Sequence, residues 1–206
     1  MAAVDKWNER YAASKLVWSQ TVNKELANQV SGYSPARALD LGAGEGRNAI
    51  WLAGQGWQVT AVDFSQVGID KGKQLALSNR IDVNWVVSDA CEYDDQDGFD
   101  LVVVLYLHTA RAERDLWLAN AINLVRPGGD FIYIGHDPEN IVHGVGGPQN
   151  PEVLPDVDEF TRRLSDFDIV QSGIVERATS VETGHAKSES KALALDCLVN
   201  AKRRAG

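Results

Sequence analysis

From Pro35 onward the chain alternates between two hydrophobic rhythms. Short apolar runs with the character of strands, Arg37 to Leu41, Trp57 to Val62 and Ile81 to Val87, are separated by residues 46–54 and 66–78, whose apolar positions fall at helical spacing. Ser65 is a good N-cap for the second of these helices. Phe99 to Leu105 is apolar without a break, as expected of a central parallel strand covered on both faces. Helical spacing returns over 111–125 through Leu116, Ala119, Ile122 and Leu124. Arg126-Pro127-Gly128-Gly129 then reads as a turn, and Phe131 to Ile134 as a fifth strand leading to His136. Residues 137–156 are rich in proline and glycine and carry no period, the mark of a lid or binding loop. Asp158 to Leu164 reads as a short helix. Phe167 to Arg177 and Ala192 to Ala201 read as strands joined by a polar segment without a helix, so they pair antiparallel at one edge.

Ahead of this alternation, residues 1–34 hold an aromatic stretch (Trp7, Tyr11, Trp18) and then a period near four through Val22, Leu26 and Val30. They predict a short aromatic segment followed by a helix of about 12 residues, ended by Gly32 and Pro35. The aromatics either pack across the sheet or form a flap over a ligand. The whole pattern predicts one α/β domain over residues 1–206: a Rossmann-like doubly wound sheet, mostly parallel, of seven strands with an antiparallel edge hairpin. Ligands of such sheets bind outside the carboxyl ends of the strands.

Composition narrows the ligand. The net charge of -9 and the confinement of the basic cluster Lys202-Arg203-Arg204 to the C-terminus argue against a nucleic-acid partner and favour a small molecule. The opening residues hold no apolar signal region, and no apolar run approaches the length of a membrane span. Cys91 and Cys197 lack disulfide or zinc spacing, so a reduced, cytoplasmic protein is expected. The spacing of the four histidines, His108, His136, His143 and His185, forms no ligand pair, and no metal is expected.

The chemistry concentrates at the end of the first strand, in Asp40-Leu41-Gly42-Ala43-Gly44-Glu45-Gly46-Arg47-Asn48. A strand, a glycine turn and a helix N-terminus bring backbone amides close to a nucleotide-like ligand. The glycines run G-x-G-x-G rather than G-x-G-x-x-G, and Asp40 at the mouth would repel a pyrophosphate but suits a cationic ligand. Asp63 ends the second strand, where it can accept from ribose hydroxyls of either ligand class. A nicotinamide site remains the weaker alternative, because the only Tyr-x-x-x-Lys pair, Tyr11 and Lys15, precedes the first strand.

With Val62-Asp63, Ser88-Asp89-Ala90, Phe99 to Val104 and Leu124 to Gly129 following in order, the chain resembles the class I S-adenosylmethionine-dependent methyltransferases. The stretches Trp7 to Tyr11, Gly44 to Asn48 and Gly146-Gly147-Pro148 are similar to the tellurite-resistance-protein-like and thiopurine-methyltransferase-like small-molecule subgroup. The resemblance implies that Gly42, Ala43, Gly44 and Gly46 pass beneath the methionine part of S-adenosylmethionine, and that Asp40 faces its amino group. It implies that Asp63 takes the ribose, Phe64 and Ala90 lie by the adenine, and Asp89 accepts from the adenine amine. Leu105 and Tyr106 line the wall near the methyl group, while Arg10 reaches the cofactor carboxylate and Trp18 covers it. Methyl transfer to a small-molecule acceptor follows, leaving S-adenosylhomocysteine; a non-catalytic cofactor-binding protein is the alternative. His108 and His136 are the candidate catalytic residues, being polar groups just past strand ends, and Tyr106 and His143 the candidate substrate contacts.

Overall fold

The computed structural model describes residues 3–13, 16–17, 20–179 and 192–206. In chain order, α1 (Ala3–Ala12) and α2 (Lys24–Gln29) precede β1 (Arg37–Leu41). Then come α3 (Arg47–Gly54), β2 (Gln58–Asp63), α4 (Gln66–Asn79), β3 (Asn84–Val87), β4 (Phe99–Leu105), α5 (Arg111–Asn123) and β5 (Val125–His136). The C-terminal part holds α6 (Asn140–His143), a 3-10 turn at Pro151–Val153, α7 (Val157–Thr161), β6 (Phe167–Thr179) and β7 (Ala192–Arg203). The strands form one seven-stranded sheet in the order β3-β2-β1-β4-β5-β7-β6. The first five pair parallel, and β7 runs antiparallel to both β5 and β6. This is the predicted doubly wound sheet with its antiparallel edge.

The unbroken apolar run in β4 is explained by what covers it. Val102 and Val104 point into a core built with Leu39, Trp117, Phe131 and Phe160, so α5 and α7 cover that face. Leu101 and Val103 point the other way, against Leu26, Leu52 and Ile132, beneath α2 and α3. All four are fully buried, each contributing roughly 1.5–3 kcal/mol of transfer free energy. Reversal of strand order on either side of β1 and β4 opens the crevice at their carboxyl ends.

Several elements differ from expectation, four of them for reasons the structure shows. The helix expected to span about 12 residues is six residues long, because Asn23 caps it by accepting the Leu26 amide and Val30 already leaves it. The N-terminal aromatic stretch is itself helical, as α1. β3 starts at Asn84 rather than Ile81, since the Ile81 amide is spent on the Ala76 carbonyl at the end of α4. β5 is longer than predicted: Val125 already pairs with Phe99, and Arg126–Gly129 forms an irregularity inside the strand, with Gly128 at φ +80°, before Asp130 pairs with Leu101.

Candidate active site

The glycine turn is held from both sides by β2. The amides of Gly42 and Ala43 donate to the Val62 carbonyl at 2.8 and 2.9 Å, and the Gly44 amide donates to Asp63 Oδ2 at 2.8 Å. Asp63 Oδ1 accepts the Ser65 amide at 2.9 Å, which starts α4. Gly42, Gly44 and Gly46 all lie in the left-handed region, at φ +78°, +58° and +76°, where a side chain is strained. Gly46 has a second reason to be bare: a Cβ there would stand 2.2 Å from the Trp85 ring.

This turn forms one wall of a cavity of about 320 Å³. Gly42, Ala43, Gly44, Glu45, Gly46, Arg47, Asp63 and Phe64 line it on one side and Asp89 and Ala90 close its end. Leu105, Tyr106, Leu107, His108, Thr109, Ala110, Trp117 and Val153 form the opposite wall. Trp7, Tyr11, Leu16 and Gln20 line it from the N-terminal segment. Asp40 lies beneath the turn, fully buried, with Oδ2 lacking a hydrogen-bond partner. Burial pushes its carboxyl up to about 7, with the nearby Asp63 adding and the Ala49 amide and Arg47 opposing.

The opposite wall rests on a row of polar side chains that crosses the sheet. His136 on β5 and Asp196 on β7 are directly paired, and Arg177 on β6 is diagonal to Asp196 through its partner Ala194. Side chains so related share a face. Arg177 Nε donates to Asp196 Oδ2 at 2.7 Å, the Tyr106 hydroxyl donates to the same oxygen at 2.6 Å, and His136 Nδ1 lies 3.2 Å from Oδ1. Burial acts to raise the Asp196 pKa, but these three partners outweigh it and hold the carboxylate below its usual range. Tyr106 has φ +55°, an uncommon conformation for a tyrosine, and its oxygen also accepts from Asn23 Nδ2 at 3.0 Å. Burial and the Asp196 charge raise its pKa.

His108 is held differently. Its Nε2 accepts the backbone N–H of His136 at 3.2 Å, and the two imidazoles stack at 5.5 Å. Burial pushes His108 down to about 4, and His136 acts in the same direction. The ring is therefore neutral, with its proton on Nδ1. It is a hydrogen-bond donor and a poor base.

The predicted cofactor-side residues Gly42, Ala43, Gly44, Asp63, Phe64, Asp89, Ala90 and Leu105 thus converge on one cavity, as do Tyr106 and His108. Others do not reach it. His136 is buried behind the Tyr106 ring and covered by Gly147. His143 is exposed on α6, 3.5 Å from Glu139, because the helix turns it outward. Arg10 is exposed, with its guanidinium 4.9 Å over the Trp7 ring. Trp18 and His185 lie outside the described residues. Of the expected lid over 137–156, only Val153 lines the cavity; buried Asn140 ties this loop down through the Gly146 carbonyl and the Leu195 amide.

Sequence reasoning missed Glu45, Arg47, Asn23, Arg114, Arg177 and Asp196. Asp196 had a signal, an acid inside the apolar run Ala194 to Val199. Arg114 had none. It is buried, bidentate to Glu159 at 2.8 and 3.0 Å, and donates to the carbonyls of Thr109 and Glu152, fixing the far wall to the Pro151–Val153 turn and α7.

Residues 38–129 match the family described as Methyltransferase domain. A ubiquinone biosynthesis O-methyltransferase of Rickettsia conorii is 28% identical over 121 residues, covering 59% of this chain and 42% of the relative. The chain spans less than half the length of the first curated relatives it matches. Among solved structures, TehB from Haemophilus influenzae superposes with a TM-score of 0.72 at 16% identity, over 98% of this chain and 67% of the other. The N-methyltransferase NodS from Bradyrhizobium japonicum WM9, in complex with S-adenosyl-L-homocysteine, superposes with a TM-score of 0.69 at 16% identity, over 98% and 99%. The chain shares its fold with these solved structures, NodS among them an N-methyltransferase.

Proposed function

We propose that this chain is a class I S-adenosylmethionine-dependent methyltransferase and that it acts on a small-molecule acceptor bound between the glycine turn and the wall formed by Tyr106 to Ala110, Trp117 and Val153. The observation that carries the reading is the convergence of the three left-handed glycines, Asp63, Phe64 and Asp89 on one cavity whose far side is a separate, mostly apolar wall. The residues present fit the cofactor. Gly42, Gly44 and Gly46 keep the turn bare of side chains along the cavity, and Asp40, buried beneath it, holds a carboxylate oxygen without a hydrogen-bond partner.

When bound, S-adenosylmethionine supplies a methyl group on a sulfonium that is its own leaving group. The chain's part is to bind, orient and exclude water. Gly42, Gly44 and Gly46 would pass beneath the methionine portion, Asp63 would accept from the ribose with the lone pairs its two amide partners leave, and Asp89 would close the adenine end. Leu105, Leu107, Trp117 and Val153 keep the acceptor side apolar, and orientation in such a pocket can remove several kcal/mol from a barrier. Tyr106 and His108 serve as oriented polar groups of that wall. The phenol already donates to Asp196 and the imidazole nitrogen Nε2 is occupied, so neither is set up to remove a proton.

The test is incubation with methyl-labelled S-adenosylmethionine and separate small-molecule acceptors: thiols, selenium and tellurium oxyanions, phenols and amines. Label in an extractable small product supports the reading. Cofactor binding with no transfer to any acceptor class contradicts it and leaves a binding protein.

A further inference from the structure

We propose that Glu45, the acidic residue inside the glycine turn, latches the N-terminal segment over the cavity and thereby sets how long the nucleoside cofactor stays bound. The proposal rests on the cofactor reading above and assigns a role to a side chain of the turn that the cofactor reading leaves unused.

The geometry is specific. Both carboxylate oxygens of Glu45 accept the Val17 backbone amide, at 2.9 and 3.2 Å. Lys71 on α4 places Nζ 3.2 Å from Glu45 Oε1 and also donates to the Tyr11 carbonyl. Among the described residues, one buried carboxylate and one lysine therefore hold the segment at residues 11 and 17. Between and beside those places, Trp7, Tyr11, Leu16 and Gln20 line the cavity. Glu45 lines it too, so turn and segment are facing walls and Glu45 bridges them. A second hitch lies further along α1, where Asn8 Oδ1 accepts the Ser65 hydroxyl at 2.6 Å.

Burial explains why this pair is a better latch than a surface bridge. Glu45 is 4% exposed, so its bonds are not exchanged freely with water, and a carboxylate accepting from an amide is stronger than a neutral pair. A ligand in the cavity is roofed by the segment this carboxylate holds. Leaving it requires the Val17 and Lys71 contacts to open.

The experiment is stopped-flow release of S-adenosylhomocysteine, followed by tryptophan fluorescence, from the wild-type chain and from Glu45→Gln, Glu45→Ala and Lys71→Met. The expected result is release at least tenfold faster for Glu45→Ala, with Glu45→Gln between it and wild type because the amide acceptor is kept. Lys71→Met is expected to release at least threefold faster, and it carries the test if the Glu45 variants fail to fold. Folded variants that release within twofold of wild type overturn the latch, even where the unfolding temperature falls, since a purely structural role moves stability and not release. A wild-type chain that does not bind S-adenosylhomocysteine overturns the cofactor reading and the latch together; normal wild-type binding with unmoved variants overturns the latch alone.

Discussion

The backbone N–H of His136 donates to Nε2 of His108 at 3.2 Å, and this one bond fixes the tautomer of the only histidine that lines the cavity among the described residues. Its consequence can be read in stability. The His108 pKa is depressed from 6.5 to about 4 on folding, by burial first, so the unfolded chain binds the extra proton between those values. The contribution is fully present above pH 6.5 and lost as pH falls through about 4. Its size is about 3 kcal/mol at most. Urea unfolding of His108→Gln should show a flatter loss of stability than wild type between pH 6.5 and 4.

Asp40 acts in the opposite sense. Its pKa is raised from 3.8 to about 7, mainly by burial, so the folded chain holds the extra proton. Its contribution is fully present below pH 3.8 and lost as pH rises through about 7, a change on the order of 4 kcal/mol at most. Asp40→Asn should therefore gain stability relative to wild type as pH rises from 4 to 7. A difference between the two proteins that stays constant across that window would contradict the assignment.

Gly46 and Trp85 form a pair that should show strong coupling. Gly46→Ala adds both left-handed strain and a Cβ 2.2 Å from the indole, together on the order of 3 kcal/mol. In Gly46→Ala/Trp85→Leu the clash is relieved and only the backbone strain, about 1 kcal/mol, should remain relative to Trp85→Leu alone. A double-mutant cycle on thermal unfolding reads this, and additive costs would contradict the pairing by showing that the indole moves aside at no cost.

Much of this molecule was legible in the sequence. The apolar runs, the glycine turn and the acids at Asp63 and Asp89 are local signals, and they point to the sheet, its crevice and one wall of the cavity. What was not legible is carried by pairs far apart in the chain. Tyr106 and Asp196 meet because β7 returns antiparallel beside β5, and Arg114 and Glu159 meet because α5 and α7 share one face of the sheet. Neither pair has a spacing to read. His136 illustrates the limit: it was expected just past a strand end, but it is the last residue of β5, and register places it opposite Asp196 and away from the cavity.

The Arg114–Glu159 pair gives a further expectation. Removing one member of a buried ion pair strands the other, at about 3–5 kcal/mol. Arg114→Met should lose stability of that order, and Arg114→Met/Glu159→Leu should recover part of it. S-adenosylhomocysteine affinity should stay within about threefold in the double variant, because both residues lie behind the wall opposite the glycine turn and not on the turn itself. Calorimetric titration and urea unfolding of the same samples separate the two effects.

Titration of the wild-type chain with S-adenosylhomocysteine, set beside NAD and beside Asp63→Ala, bears most directly on the account as a whole. The account predicts saturable binding of S-adenosylhomocysteine, none of NAD, and a loss of at least tenfold in affinity for Asp63→Ala. Binding of NAD without S-adenosylhomocysteine would contradict it.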